Sequence, residues 1–138
     1  MKTPKRYTAK LSRKDTHKQK KYLKKSHKDY KKGKYYQRPK LKSFKSKKSN
    51  WTTKFHAMYP EAKTMKQISQ ATKIPLRALQ AVKKKGMGAY YSSGSRPNQT
   101  PESWGKARMY SYILGGPTRR VDQHITDKYN VTFKIKKN

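Results

Sequence analysis

The chain has 138 residues, with 38 Lys or Arg against 6 Asp or Glu and a formal net charge of +32. This length allows one domain, or a small domain with a tail, and so large a charge of one sign calls for a polyanionic partner. The absence of cysteine excludes disulfides and thiolate metal sites. No run of about 18 apolar residues occurs, so we expect no membrane span.

Residues 1–50 have the composition of a basic arm. They hold 21 Lys or Arg, only two acids and few apolar side chains. Such a segment buries too little apolar surface to offset its ordering entropy. We therefore predict a long extended arm over 1–50, disordered in the isolated chain and able to form short helical turns around 14–31 on a partner, and a small domain over 51–138. The predicted polyanion- or partner-binding residues of the arm are Lys20, Lys21, Lys24, Lys25, Lys28, Lys31, Lys32, Lys34 and Arg38.

Tyrosines interleaved with these lysines form a second feature of the arm. Tyrosine rings stack on nucleic-acid bases and also insert into pockets of protein partners. The alternative is a solvated arm that binds any polyanion through charge alone. The arm aromatics are Tyr7, Tyr22, Tyr30, Tyr35 and Tyr36.

Two short helices are predicted after a small aromatic cluster that opens the domain near Trp51. The spacing of Thr64 and Gln67 is that of a capping box and predicts a helix over 64–73. Pro75 begins a second helix that is expected to end at Gly86.

Such a helix pair is either an αα-corner or a helix-turn-helix. In the second case the later helix would enter the major groove of DNA. That helix opens with Leu76 and Ala78 where base-reading side chains are expected, which favours the corner. Its candidate nucleic-acid contacts are Arg77, Lys83, Lys84 and Lys85.

The best-defined helix follows a loop predicted over 86–99. Thr100 is a suitable N-cap and Pro101 occupies the first helical position. Trp104 opens an apolar stripe and is expected to anchor the core, and Gly115 begins the stop signal.

The C-terminal part predicts one more helix and a strand. Val121, Ile125 and Tyr129 are spaced by four, which indicates a short helix ending at Asn130. The alternation over residues 131–135 predicts a strand. The fold class is therefore mainly α, with a C-terminal strand and a long N-terminal arm.

Signals for catalysis are missing from the sequence. The four histidines form no pair at metal-ligand spacing, and the acids are too sparse for two-metal chemistry. No phosphate-binding P-loop or GxSxG motif occurs. We expect no enzyme activity, no catalytic or metal-binding residues, no cofactor and no small-molecule substrate.

Residues 64–127 resemble a small uncharacterised domain family of large nucleocytoplasmic DNA viruses of algae and protists and of some phages. The resemblance excludes the lysine-rich arm. It rests on Gly-x-Gly-Ala, Arg-Pro and Trp-x-x-Ala-Arg elements, which comprise Gly86, Gly88, Ala89, Arg96, Pro97, Trp104, Ala107 and Arg108, together with Ile74, Pro75, Leu79, Val82 and Ser111. Arg96 and Arg108 are candidates for clamping a phosphate or carboxylate, although packing roles are expected. The resemblance implies a source, a large double-stranded DNA virus, and no activity.

These observations favour a non-enzymatic basic structural protein of a virus particle. We expect a minor capsid protein in the virion, in the shell or at its inner face, that laces capsid proteins together through its arm. It would also occur in the host cell during assembly, and genomic DNA is a further possible partner. The alternative is a nucleic-acid-binding protein of the DNA-condensing or helix-turn-helix type.

Overall fold

The computed structural model of the chain describes residues 3–44 and 49–136, so residues 1–2 and 45–48 of the predicted arm lie outside the described part. Contacts divide the chain into two compact units: unit 1 comprises Met1–Lys47 and Met87–Trp104, and unit 2 comprises Lys48–Gly86 and Gly105–Asn138. A 3₁₀ turn, Lys5–Tyr7, precedes the helices α1 (Arg13–Lys31), α2 (Asn50–Met58), α3 (Met65–Thr72), α4 (Leu76–Ser92), α5 (Pro101–Ile113), α6 (Thr118–Val121) and α7 (Gln123–Lys128). The mainly α class is confirmed.

Unit 2 is built around a hydrophobic core. Phe55 of α2 lies at its centre, fully buried, with its ring stacked on Tyr110 of α5 at a centroid distance of 4.4 Å. The other buried members of this core are Ala62, Ile68, Ile74, Ala78, Leu79, Val82, Met109, Tyr112, Ile113, Leu114 and Ile125. Met109–Ile113 of α5 and Leu114 directly after it are all buried, so the C-terminal part of this helix is buried around its whole circumference rather than along one stripe.

The two helix starts predicted from capping residues are confirmed. Thr64 accepts a hydrogen bond from the backbone N–H of Gln67, and the Gln67 side chain accepts one from the backbone N–H of Thr64. Thr100 caps α5 by accepting from the N–H of Ser103 at 3.0 Å. These interactions satisfy N–H groups that have no partner within their own helix.

The predicted helix end at Gly86 is wrong, because α4 continues to Ser92. Gly86 is instead a point of close approach between α4 and α5. A Cβ atom at Gly86 would lie 2.8 Å from the Cα atom of Gly105. Gly86 therefore permits the backbones of α4 and α5 to touch instead of supplying a positive φ angle. The loop predicted over 86–99 is shorter in the structure, where it runs over 93–100.

The predicted C-terminal strand is not present in the described residues. Its alternation is real, since Val131, Phe133 and Ile135 are half-buried against the core of unit 2 and the residues between them are exposed. Phe133 packs edge-on against Tyr112, with ring centroids 5.1 Å apart. The pattern identified which side chains face the core, but the segment packs on helices, and within residues 3–44 and 49–136 no strand pairs with it.

The helix predicted to end at Asn130 is broken into α6 and α7 at Asp122. Ile125 is buried as expected, whereas Val121 is 62% exposed. Asp122, and not its neighbour Val121, is completely buried, because Asp122 is the ion-pair partner of Arg108.

The extended arm predicted for residues 1–50 differs most from the structure, because residues 13–31 form α1. Leu23 is the only apolar member of the buried stripe of α1, whose other fully buried residues are polar. Gln19 donates to the carbonyl oxygens of Tyr7 and Ser95, and Ser26 donates to that of Tyr91. Hydrogen bonds to backbone carbonyls thus hold α1 within unit 1, and apolar periodicity does not detect such a face.

We predict that Gly86→Ala destabilises the protein by about 1–3 kcal/mol, as for overpacked cores, although alanine is the better helix former. The added Cβ meets backbone at Gly105, and backbone cannot rotate away as a side chain can. Thermal unfolding followed by circular dichroism measures the loss. Lys84→Ala and Lys84→Gly, at an exposed position of α4, give the intrinsic Ala–Gly difference as a control. A rise in melting temperature for Gly86→Ala would contradict the close approach.

Candidate polyanion-binding site

The outward half of α1 is basic throughout and forms the lysine face, the main candidate site. Two rows of basic side chains cover it, at spacings of three and four apart from a gap of seven between Lys24 and Lys31, and every one of them is exposed. The first row contains Lys14, Lys18, Lys21, Lys25, Lys28 and Lys32, and the second contains Arg13, His17, Lys20, Lys24 and Lys31. Of the two acids on this helix, Asp29 pairs with Lys25 at 3.1 Å and Asp15 is buried. The face therefore presents concentrated positive charge.

A groove of about 490 Å³ continues the lysine face at the start of α1. Lys14 and Lys18 line one side, and Lys40 and Lys42 of the following segment also line it. These four ammonium groups around one concavity focus positive potential where a phosphate group would fit.

Asp15 fastens the segment that carries Lys40 and Lys42. Its carboxylate accepts two hydrogen bonds from Ser43, at 2.6 Å from the hydroxyl and 3.0 Å from the backbone N–H. The hydroxyl bond, followed by the backbone bond, lowers the pKa of Asp15 below its usual value. The carboxylate thus stays ionised and occupied by Ser43 at neutral pH.

The predicted binding lysines of the arm, from Lys20 to Lys34, are all exposed, but Arg38 has a different role. Its guanidinium group donates to the carbonyl of Tyr90 at 2.7 Å and to the hydroxyls of Ser26 and Ser95. It also lies 3.8 Å from the centroid of the Tyr90 ring. Burial lowers the pKa of Arg38. Arg38 therefore stabilises unit 1 and is not available for a polyanion.

The arm aromatics separate into three environments. Tyr7 is only 5% exposed and packs edge-on against Trp104, so its predicted role in contacting a partner is replaced by a packing role. Tyr22 and Tyr36 form one ring pair, with centroids 6.4 Å apart.

Tyr30, Tyr35 and Tyr91 form a second group, which we call the tyrosine platform. The rings of Tyr30 and Tyr91 are nearly parallel, and Tyr35 lies 5.1 Å from Tyr91. Tyr35 is 68% exposed, so this group presents an aromatic surface to solvent.

The candidate nucleic-acid helix is part of unit 2. Arg77, Lys84 and Lys85 of α4 are exposed, and Lys83 is half-buried. Lys73 adopts a left-handed conformation, with φ of 62°, in the short connection between α3 and α4. Both the αα-corner and the helix-turn-helix hypotheses are compatible with this connection.

The family-motif residues have mostly packing roles. Gly88 leaves room for Tyr30, since a Cβ atom there would lie 3.2 Å from the tyrosine hydroxyl. Pro97 is buried, whereas Trp104 and Ala107 are only half-buried, so Trp104 is not the anchor of the large core. Arg96 is exposed and stays a candidate for anion binding.

Arg108 binds a carboxylate of the chain itself. Its Nε and Nη2 atoms donate to the two oxygens of Asp122, at 2.9 and 2.7 Å. Removing one partner of such a buried bidentate pair leaves the other charge uncompensated. The expected packing role of Arg108 therefore comes from its ion pair with Asp122.

Several residues of the candidate site were missed by the sequence predictions. Lys14 and Lys18 are four apart, directly after a serine N-cap at Ser12, which accepts from the N–H of Asp15. This helix start could have placed both lysines on one face. Lys40, Lys42 and Tyr91 carry no comparable local signal, because tertiary structure alone brings them to the groove and the platform.

Further chemistry was searched for in residues 3–44 and 49–136. No group of three or more His, Asp or Glu side chains in this part of the chain is arranged to hold a metal ion. Nor does any helix there combine the length and apolar character needed to cross a membrane.

Residues 4–130 match the model of a family described as a family of unknown function, DUF5824. No curated protein and no solved structure matches the chain significantly. The match includes α1, so the expectation that the family domain excludes the lysine-rich segment is wrong.

We predict that Asp15→Asn destabilises unit 1 near neutral pH. Because the pKa of Asp15 is lower in the folded than in the unfolded state, its contribution is complete above the unfolded value of about 3.9 and is lost as pH falls through the folded value. Thermal melts across acidic pH should show the difference between wild type and variant shrinking to zero. Ser43→Ala should have a similar effect. The double variant should be destabilised by less than the sum of the two single effects. Additive effects would show that the two residues are not coupled.

Proposed function

The chain belongs to the DUF5824 family, a family of unknown function, and we propose that this chain is a non-enzymatic basic structural protein of a large double-stranded DNA virus particle. In this proposal the protein binds polyanions through the lysine face and faces the packaged genome. The observation that carries the proposal is the concentration of exposed lysines along α1, around a helix whose inner face is fixed by hydrogen bonds.

Nucleic acid is the polyanion that best fits this surface. The rows of the lysine face repeat at every helical turn, and α1 has 19 residues, a length of about 28 Å at 1.5 Å per residue. A long regular cationic face suits a polymer with regularly spaced phosphates better than a single small anion. The net charge of +32 adds long-range attraction and fits a protein needed near a genome.

The virus particle is proposed from the sequence resemblance of the Gly-x-Gly-Ala, Arg-Pro and Trp-x-x-Ala-Arg elements. Within this chain these elements have packing roles, since Gly86 permits a close helix approach and Arg108 forms an ion pair with buried Asp122. Lacing through an extended arm loses its main support, because residues 13–31 are helical.

Capsid proteins remain a second candidate partner because unit 2 carries an apolar groove. The groove has a volume of about 320 Å³ and is lined by Trp51, Lys54, Ala57, Met58, Leu114 and Ile135. Met58 is 54% exposed, which is unusual for so large an apolar side chain. A protein with a basic unit and an apolar groove suits a position between shell and genome.

We predict that replacing Lys18, Lys21 and Lys28 together by Gln weakens binding to duplex DNA for all sequences alike. The slope of log affinity against log salt is negative, and each lost phosphate contact should make it less steep by about 0.9. The magnitude of the slope should therefore decrease by about 2–3. Fluorescence anisotropy at several salt concentrations measures this change. The matched control replaces Lys63, Lys66 and Lys128, which are equally exposed in unit 2. Equal losses in both variants would contradict a binding site on α1.

A second variant tests the helix-turn-helix alternative. Replacing Arg77, Lys84 and Lys85 by Gln should leave affinity nearly unchanged if α1 is the binding site. Tight binding that depends on the DNA sequence and disappears in this variant would support the alternative.

Mass spectrometry of purified virus particles tests the location, and absence of the protein from particles would rule out the structural role.

A further inference from the structure

The tyrosine platform has a fixed geometry set by the end of α1. The backbone N–H of Lys34 donates to the carbonyl of Asp29 at 2.9 Å, and that of Gly33 donates to Tyr30 at 3.0 Å. Gly33 has a φ angle of +77°, so the chain reverses there with a left-handed residue. This reversal returns Tyr35 to within 6.0 Å of Tyr30, measured between ring centroids.

Two further rings keep Tyr35 in place without burying it. Tyr30 and Tyr91 are inclined by only 9° to each other, at 5.9 Å, and Tyr35 contacts both at inclinations between 54° and 57°. Tyr35 nevertheless keeps 68% of its surface exposed. An aromatic ring that contacts two others and still exposes so much of its surface can stack on another planar group.

The surroundings of the platform are cationic. Lys31, Lys32 and Lys34 precede Tyr35 in the chain and are all exposed, and Lys28 lies on the adjacent turn of α1. A protein partner that inserted into this surface would have to compensate several ammonium groups at the rim. A nucleic acid offers phosphates for the lysines and a base for the ring within one nucleotide unit.

We propose that the tyrosine platform binds single-stranded nucleic acid, with an unpaired base stacked on Tyr35 and the adjoining phosphates held by Lys31, Lys32 and Lys34. This inference deepens the proposed function, since it rests on polyanion binding by unit 1. Stacking on Tyr35 would favour single strands over duplexes, because bases in a duplex are already stacked on one another. Charge alone does not provide this selectivity. Sequence preference is not required, since every base has a face for stacking.

The test measures binding of the full chain to fluorescein-labelled dT20 and to a 20-base-pair duplex by anisotropy. Tyr35→Ala should weaken dT20 binding about tenfold, a loss typical of one base–aromatic stack, and should leave duplex binding within about twofold. Tyr35→Phe keeps the ring and should bind dT20 like the wild type. The exposure of Tyr35 means that neither variant should unfold the protein, which circular dichroism checks.

Either of two results would overturn the platform: equal dT20 binding by Tyr35→Ala and wild type, or equal losses for dT20 and duplex. Failure of the wild type to bind even the duplex would instead overturn the proposed function itself. A strand containing 5-iododeoxyuridine gives an independent readout, because irradiation joins the modified base to an adjacent aromatic ring. We expect a crosslink to the peptide that contains Tyr35, and crosslinks confined to other peptides would contradict the assignment.

Discussion

The cost of removing cations from water is the constraint on which the rest of this structure depends. A chain with 38 Lys or Arg and 6 acids cannot pair most of its positive charges internally. Lysine and arginine therefore differ in how deeply they are buried in the fold. No lysine in residues 3–44 and 49–136 is buried, whereas Arg38, Arg108 and Arg119 lie partly or fully inside. Guanidinium is the more weakly hydrated cation, with a planar set of donors, and so it is the type that the interior accepts.

Each inward-facing arginine is matched to acceptors in a different way. Arg108 has the carboxylate of Asp122, while Arg119 donates to the carbonyls of Tyr112 and Ile113 and lies 3.6 Å from the Phe133 ring centroid. Those two carbonyls belong to the last turn of α5, where the partial negative charge of the helix favours a cation. The arginines therefore complete helix ends and join segments, which are tasks that apolar side chains cannot perform.

Sequence reasoning succeeded where the signal is local and failed where it depends on a distant partner. Thr64 with Gln67, and Thr100 with Pro101, are neighbours along the chain, so their capping interactions could be predicted. Gly86 was read as a helix stop because glycine disfavours helix, and only the approach of Gly105 explains why a glycine stands inside α4. The arm was predicted to be extended because it holds few apolar residues, yet polar Gln19 and Ser26, with Asp15 and Leu23, form the buried face of α1.

The lysine face also makes α1 the element most sensitive to its ionic surroundings. Lys14, Lys18, Lys21, Lys25 and Lys28 are neighbours at spacings of three and four, and like charges so placed destabilise a helix by about 0.2–0.5 kcal/mol per pair. Salt or a bound polyanion removes this repulsion. Helicity should therefore rise with salt in far-ultraviolet circular dichroism, and rise less when Lys18, Lys21 and Lys28 are replaced by Gln. An equal rise in both proteins would mean that the repulsion lies elsewhere. Because no buried contact requires the lysines, a polyanion can bind them and stabilise α1 without disturbing the packing beneath.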